Sequence, residues 1–153
     1  MFIIGIDVGK KGGISVLEYT QNECKLKWCY AYDDEKLIAM VKLLDCDKTV
    51  AYVEDVHAMP NQGTVSMFNF GKSLGYILGV LESNYIDVEM VRPQEWKKMC
   101  NLIGKDKKHS ISKAKEMFSG VNLYPTKRSR TESDGMAESL LIAYFGYLNE
   151  EAK

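Results

Sequence analysis

The N-terminal stretch FIIGIDVGKKGGISVLEY constrains the fold more than any other part of the chain. Phe2, Ile3, Ile4 and Ile6 form a short apolar run rich in β-branched residues, as expected of a buried strand. A second apolar run over residues 12–18 follows after only a glycine- and lysine-rich turn, so the two are expected to pair as a hairpin. The first run closes on Asp7. An ionised carboxylate at the end of a buried strand is costly unless something pairs with it, and the rest of the chain has to supply that partner.

The pattern continues as α/β. Residues 25–30 are the expected third strand, and Asp33 is placed to cap a helix in which Leu37, Ile38, Val41 and Leu44 recur at helical spacing. Residues 49–54 form another apolar strand that also ends on an acid, Glu54. The loop HAMPNQG leads into a long helix over 64–83, followed by a strand at 86–91 and a short helix opened by Pro93. Asp106 caps a further helix reaching residue 118; a polar, basic loop (SGVNLYPTKRSRTES) then precedes a last helix over 134–149. Three leading strands and a helix–strand–helix–strand alternation predict one α/β domain over residues 1–153, a mixed β-sheet flanked by α-helices.

No apolar run approaches the roughly 20 residues of a membrane span, and the N-terminus lacks the basic flank and long apolar stretch of a signal peptide, so no membrane partner is expected. Cys24, Cys29, Cys46 and Cys100 are scattered, with no C-x-x-C, and His57 and His109 are the only histidines. That argues against zinc and for reduced thiols in a cytoplasm.

The acids then line up. On the last helix Ala137, Leu140, Leu141, Tyr144, Phe145 and Leu148 form the expected core-facing stripe. Asp134 and Glu138, four residues apart, share a face at its N-terminal end. Asp134 in the first turn complements the helix dipole; Glu138 has no such reason to be there. If the two strand ends meet this helix start, four carboxylates converge where a cation is needed to hold them. Hard oxygen ligands without His or Cys suit Mg²⁺ or Mn²⁺.

Charge is distributed unevenly. Residues 92–130 hold eleven lysines and arginines against three acids, a net +8, whereas the remainder of the chain is −9. Such a block is either a solvated helical face or a localised polyanion site, and its size favours nucleic acid. Gly71, Gly75 and Gly79 make a smooth stripe on the long helix. Each costs about 1 kcal/mol against alanine, which implies close packing against either the domain's own sheet or a partner.

GIDVGKKGG, VEDVHAMP, FGKSLG and SDGMAESLLIAY, in this order and spacing, resemble the RuvC family of Holliday-junction resolvases within the RNase H-like nucleases, especially its small phage-encoded branch. The resemblance spans nearly the whole chain. It implies a cytoplasmic, homodimeric, metal-dependent endonuclease acting on branched DNA, with no small-molecule cofactor. Asp7, Glu54, Asp134 and Glu138 would be the catalytic acids that bind Mg²⁺ (or Mn²⁺). Lys97 and Lys108 match two lysines near the scissile phosphate in bacterial members, which makes Lys108 a candidate catalytic residue, with Lys105 and Lys107 beside it. With Lys127, Arg128 and Arg130 these lysines form the expected DNA-binding set. Val8 stands where the family usually has proline, and Glu138 follows Asp134 by four residues where bacterial members have an aspartate after three. His57 replaces an aromatic that stacks near the junction centre; it is either a smaller stacking platform or a loop histidine capping a backbone group.

Three rival readings have distinct marks. An actin-like or sugar-kinase-like ATP-binding domain also begins with a strand, an aspartate and a glycine-rich hairpin, but needs two copies of that unit and this chain has one. A non-catalytic junction-binding protein has no need of all four acids. A ribonuclease acting on RNA–DNA hybrids is separated from a junction nuclease only by the whole-chain resemblance.

Overall fold

A computed structural model describes residues 1–20, 23–57 and 60–153. Five strands, β1 (Phe2–Asp7), β2 (Gly13–Thr20), β3 (Glu23–Ala31), β4 (Thr49–Glu54) and β5 (Asp87–Val91), form one mixed sheet in the order β3-β2-β1-β4-β5. The leading three are antiparallel neighbours; β4 and β5 add in parallel beyond β1. The expected hairpin is present, with Asp7 opposite Gly13 and the turn closed by Gly12 N–H donating to Gly9 O at 2.9 Å. Gly9 holds φ at +144°, a conformation that side chains rarely allow, so the turn keeps its shape with Val8 before it.

The helices are α1 (Asp34–Leu43), α2 (Thr64–Ser83), α3 (Pro93–Met99), α4 (Lys107–Met117) and α5 (Asp134–Glu151). Asp33 caps α1 and Asp106 caps α4, each accepting from a backbone N–H of the first turn, and Pro93 is the first residue of α3. Strand alternation splits the core in two. Ile4, Ile6, Ile14, Val16, Ala51 and Val53 meet Leu37, Met40 and Val41 of α1 and Ile77 and Leu81 of α2. On the other face Ile3, Leu17, Val50, Tyr52 and Val91 meet Trp96 of α3, Ala114 of α4 and the length of α5. Among the described residues, no helix is long and apolar enough to cross a membrane.

Helix α5 departs from the expected stripe. Every residue from 135 to 143 is buried, while Tyr144, Phe145 and Leu148 are only half-buried. The reason is position: α5 lies between the sheet and α4, so its first half has no solvent side. Its backbone presses onto the sheet where side chains are missing. A Cβ at Gly5 would overlap the Ser139 carbonyl and the Ala143 nitrogen, and one at Gly13 would overlap the Gly135 carbonyl. That contact fixes the N-terminal turn of α5 beside the ends of β1 and β2.

The α2 glycines behave differently. Among the described residues, nothing beyond the helix's own backbone lies within 4 Å of a Cβ built at Gly71, Gly75 or Gly79, so these glycines do not pack against the domain's own sheet. Residues 64–69 are exposed throughout, with Val65 and Phe68 at 74% and 72%.

Candidate active site

β1 and β4 run side by side in parallel, with Ile6 opposite Val53, so the next residues, Asp7 and Glu54, leave the sheet together. Alternation decides their direction: Ile3, Val50 and Tyr52 belong to the α5 side of the core, and Asp7 and Glu54 follow at the same parity. Both acids therefore point at the start of α5, where Glu138 is buried. Ser133 caps that helix, accepting from Met136 N at 3.2 Å, and sets Asp134 in its first turn.

The acids perturb one another's protonation. Burial raises the Asp7 pKa well above the usual carboxylate range; the charges of Glu54 and Glu138 and a hydrogen-bonding contact with Glu54 raise it further, against the pull of Lys107. Glu138 is raised as well, first by burial and by the Glu54 charge, with Lys97, the Ser110 hydroxyl and Lys107 opposing. Burial would raise Asp134 too, but the Lys107 ammonium, 2.6 Å from Oδ2, overrides it and the net shift is downward. Three acids from separate elements thus crowd one another, with the fourth at their edge in an ion pair.

Two neutral donors complete the arrangement. Trp96 Nε1–H donates to Glu54 Oε1 at 3.0 Å, and Ser110 Oγ donates to Glu138 Oε1 at 3.1 Å; both bonds are buried. Sequence reasoning named neither residue. The signal for Trp96 was chemical, since a fully buried indole N–H needs an acceptor. The donor set at the centre is carboxylate oxygen alone, which fits a hard divalent cation of the Mg²⁺ or Mn²⁺ type. The four carboxylates do not gather to the spacing of one ion's ligands. Among the described residues, three ligand atoms lie within 4.8 Å of one another only at Asp45, Cys46 and Asp47, consecutive residues before the start of β4 and so at the opposite end of that strand from Glu54.

The expected DNA-contacting residues fall into four groups. Lys107 and Lys97 act directly on the acids, and Lys97 Nζ also lies over the Trp96 ring, 5.1 Å from its centroid. It is Lys107, not Lys108, that the structure sets against Asp134; Lys108 is exposed, its backbone N–H bonded to the capping Asp106. Lys105, Lys127, Arg128 and Arg130 are exposed on the connections flanking α4. His57 sits three residues beyond Glu54 with its side chain 76% exposed, Nε2 lying 3.5 Å from Asp55 Oδ2. Ala58 and Met59 of the HAMPNQG loop are outside the described residues. A recess of about 670 Å³ between the β1–β2 turn and α2 is lined by Lys10, Tyr32, Phe70, Lys72 and Tyr76 among others, but by none of the four acids.

No protein-family profile and no curated protein matches the sequence. Solved structures do match the fold. RuvC from Thermus thermophilus is similar over 99% of this chain and 96% of its own, with a TM-score of 0.68 at 17% identity. The same protein in complex with a Holliday junction substrate has a TM-score of 0.70 at 12% identity, with the same coverage. A fowlpox virus resolvase in complex with Holliday junction DNA covers 97% of this chain and 99% of its own, with a TM-score of 0.59 at 20% identity. The chain therefore has the RNase H-like fold found in Holliday junction resolvases, as the order of its motifs implied.

Proposed function

We propose that this chain is a metal-dependent endonuclease that nicks branched DNA, Holliday junctions and related branches, by phosphodiester hydrolysis. The observation that carries the reading is the convergence of Asp7, Glu54 and Glu138 from two strand ends and a buried helix, with Asp134 at their edge. It is supported by the fold, which is similar to that of resolvases solved on junction DNA.

Asp7, Glu54, Asp134 and Glu138 would hold Mg²⁺ or Mn²⁺, whose chemistry is to activate a water nucleophile and to neutralise charge on the departing oxygen. Asp7 feels both Glu54 and Glu138 and ends a rigid strand, which makes it the central ligand. Lys107 and Lys97 flank the acids and are placed to take phosphate oxygens. The exposed cations at Lys105, Lys108, Lys127, Arg128 and Arg130 would track the backbone, contacts that position DNA without reading its sequence. His57 lies on the loop leaving Glu54, where an exposed ring can meet an unstacked base. The open face of α2, with Val65, Phe68 and the three glycines, supports a homodimer that brings two acid sites to two strands; the enzyme would act in the cytoplasm.

The test compares labelled four-way, three-way, flap and RNA–DNA hybrid substrates in Mg²⁺, Mn²⁺ and EDTA. Nicking of branched DNA that requires the cation is the expected result. No cleavage with either cation, or preferential cutting of the RNA strand of the hybrid, overturns the reading.

A further inference from the structure

Trp96 is fully buried, and a side-chain donor such as its indole N–H most often finds a backbone or water acceptor. Instead it gives that N–H to Glu54 Oε1 at 3.0 Å, where Glu54 is itself only 6% exposed. The same ring lies beneath Lys97 Nζ, 5.1 Å from the centroid and within cation–π range. One side chain thus touches a candidate metal ligand with its edge and a candidate phosphate contact with its face. Helix α3 holds it there: Pro93 starts the helix and Glu95 Oε2 accepts from Arg92 N at 3.0 Å.

We propose that Trp96 is a positioning residue for the metal site: its indole N–H occupies Glu54 Oε1, so that Oε2 is the oxygen left to face Asp7 and the cation. This rests on the nuclease reading and adds to it. A hydrogen bond to an ionised acceptor is about twice as strong as a neutral one and fixes the carboxylate's rotation. Partners of this kind to metal-ligating carboxylates typically change metal affinity or activity by about 10–100-fold. The ring's second role follows from its face: the shape-matched isostere keeps the aromatic plane under Lys97 Nζ.

The experiment uses the full chain and two replacements at position 96, Trp96→Phe and the isostere 3-benzothienylalanine, in which sulfur stands where the N–H was. Mn²⁺ binding is measured by electron paramagnetic resonance, alongside the Tm of the metal-free protein and four-way-junction affinity in EDTA. The Mn²⁺ Kd of both should rise by about 10–100-fold, with the isostere's junction affinity unchanged and its Tm lower by about 3–12 °C, the loss of one buried hydrogen bond to a carboxylate. If Trp96→Phe does not fold, the isostere decides alone. Wild-type Mn²⁺ affinity in the isostere overturns the assignment and leaves the nuclease reading standing. A wild-type protein that neither binds Mn²⁺ nor nicks branched DNA overturns both.

Discussion

Ser110→Ala isolates one hydrogen bond in the candidate site. Ser110 is 3% exposed and Glu138 9%, and the Oγ to Oε1 bond is 3.1 Å long. A hydrogen bond to a charged group contributes about 1.5–3 kcal/mol. Losing one oxygen leaves little void, and alanine's better helix propensity returns about half a kcal/mol. The net cost is therefore about 1–2.5 kcal/mol at pH 8, or a Tm lower by about 2–10 °C at 2–4 °C per kcal/mol for a chain of this size. The sign with pH is fixed by Glu138, whose folded pKa is raised above its ordinary value of 4.5, chiefly by burial. The folded state then binds the proton more tightly than the unfolded one. Stability is lost as pH rises from about 4.5 through the folded pKa. The Ser110 hydroxyl opposes that loss because it favours the ionised form. Its removal should cost little where Glu138 is protonated and most where it is ionised. Thermal melts of the metal-free protein from pH 4 to 8 measure this, with Ser112→Ala as the control, since that hydroxyl is exposed and donates to Lys108 O rather than to an acid. An equal Tm depression at both ends of the range, or none at pH 8, refutes the reasoning.

Asp7→Asn should abolish nicking yet raise the Tm of the metal-free protein, because Asp7 is raised by burial and by two neighbouring acids. That advantage grows as pH climbs above 3.8 through the folded pKa, and a gain independent of pH would contradict it. Lys97→Ala combined with Lys108→Ala should flatten the salt dependence of junction binding, since each phosphate contact contributes about −0.9 to the log–log slope on duplex DNA; an unchanged slope moves the DNA face elsewhere. Gly75→Leu, on a helix face where, among the described residues, nothing beyond the helix's own backbone lies within 4 Å of the added Cβ, should leave folding intact and give a monomer by light scattering. A dimer of normal mass would remove that face from the interface.

The sheet and most helices were legible because each depends on local chemistry. Apolar runs of strand length ended at turns, and Asp33, Pro93 and Asp106 marked helix starts that the structure places at those residues. The stripe on helix α5 does face the core, but the full extent of its burial was not legible, for a tertiary reason. A stripe is a signal only when a helix has a wet side, and residues 135–143 have none. The small residues that permit this, Gly5, Gly13 and Gly135, sit on different elements and acquire meaning only once α5 lies across the sheet. The α2 stripe was read as close packing, but what the glycines pack against was not legible, since a small-residue face looks the same whether it meets a sheet or a second chain.

The acids were legible at the strand ends because an acid closing an apolar run breaks a pattern; their supporting residues broke none. Lys107 and Lys108 are adjacent in sequence, yet consecutive helical residues point about 100° apart, so which one reaches the acids depends on where α4 begins. Asp106 settles that by capping the helix, which makes Lys107 its first residue. Lys107, Ser110 and Ala114 then recur at i, i+3 and i+7 and form one face. Asp134 and Glu138 recur at i and i+4 on α5. The two faces meet with Lys107 on Asp134, Ser110 on Glu138, and Ala114 buried beyond them. The pattern that selects Lys107 is therefore the capping aspartate followed by a small polar and a small apolar residue at helical spacing. A count of lysines cannot see it, because it ranks Lys105, Lys107 and Lys108 alike.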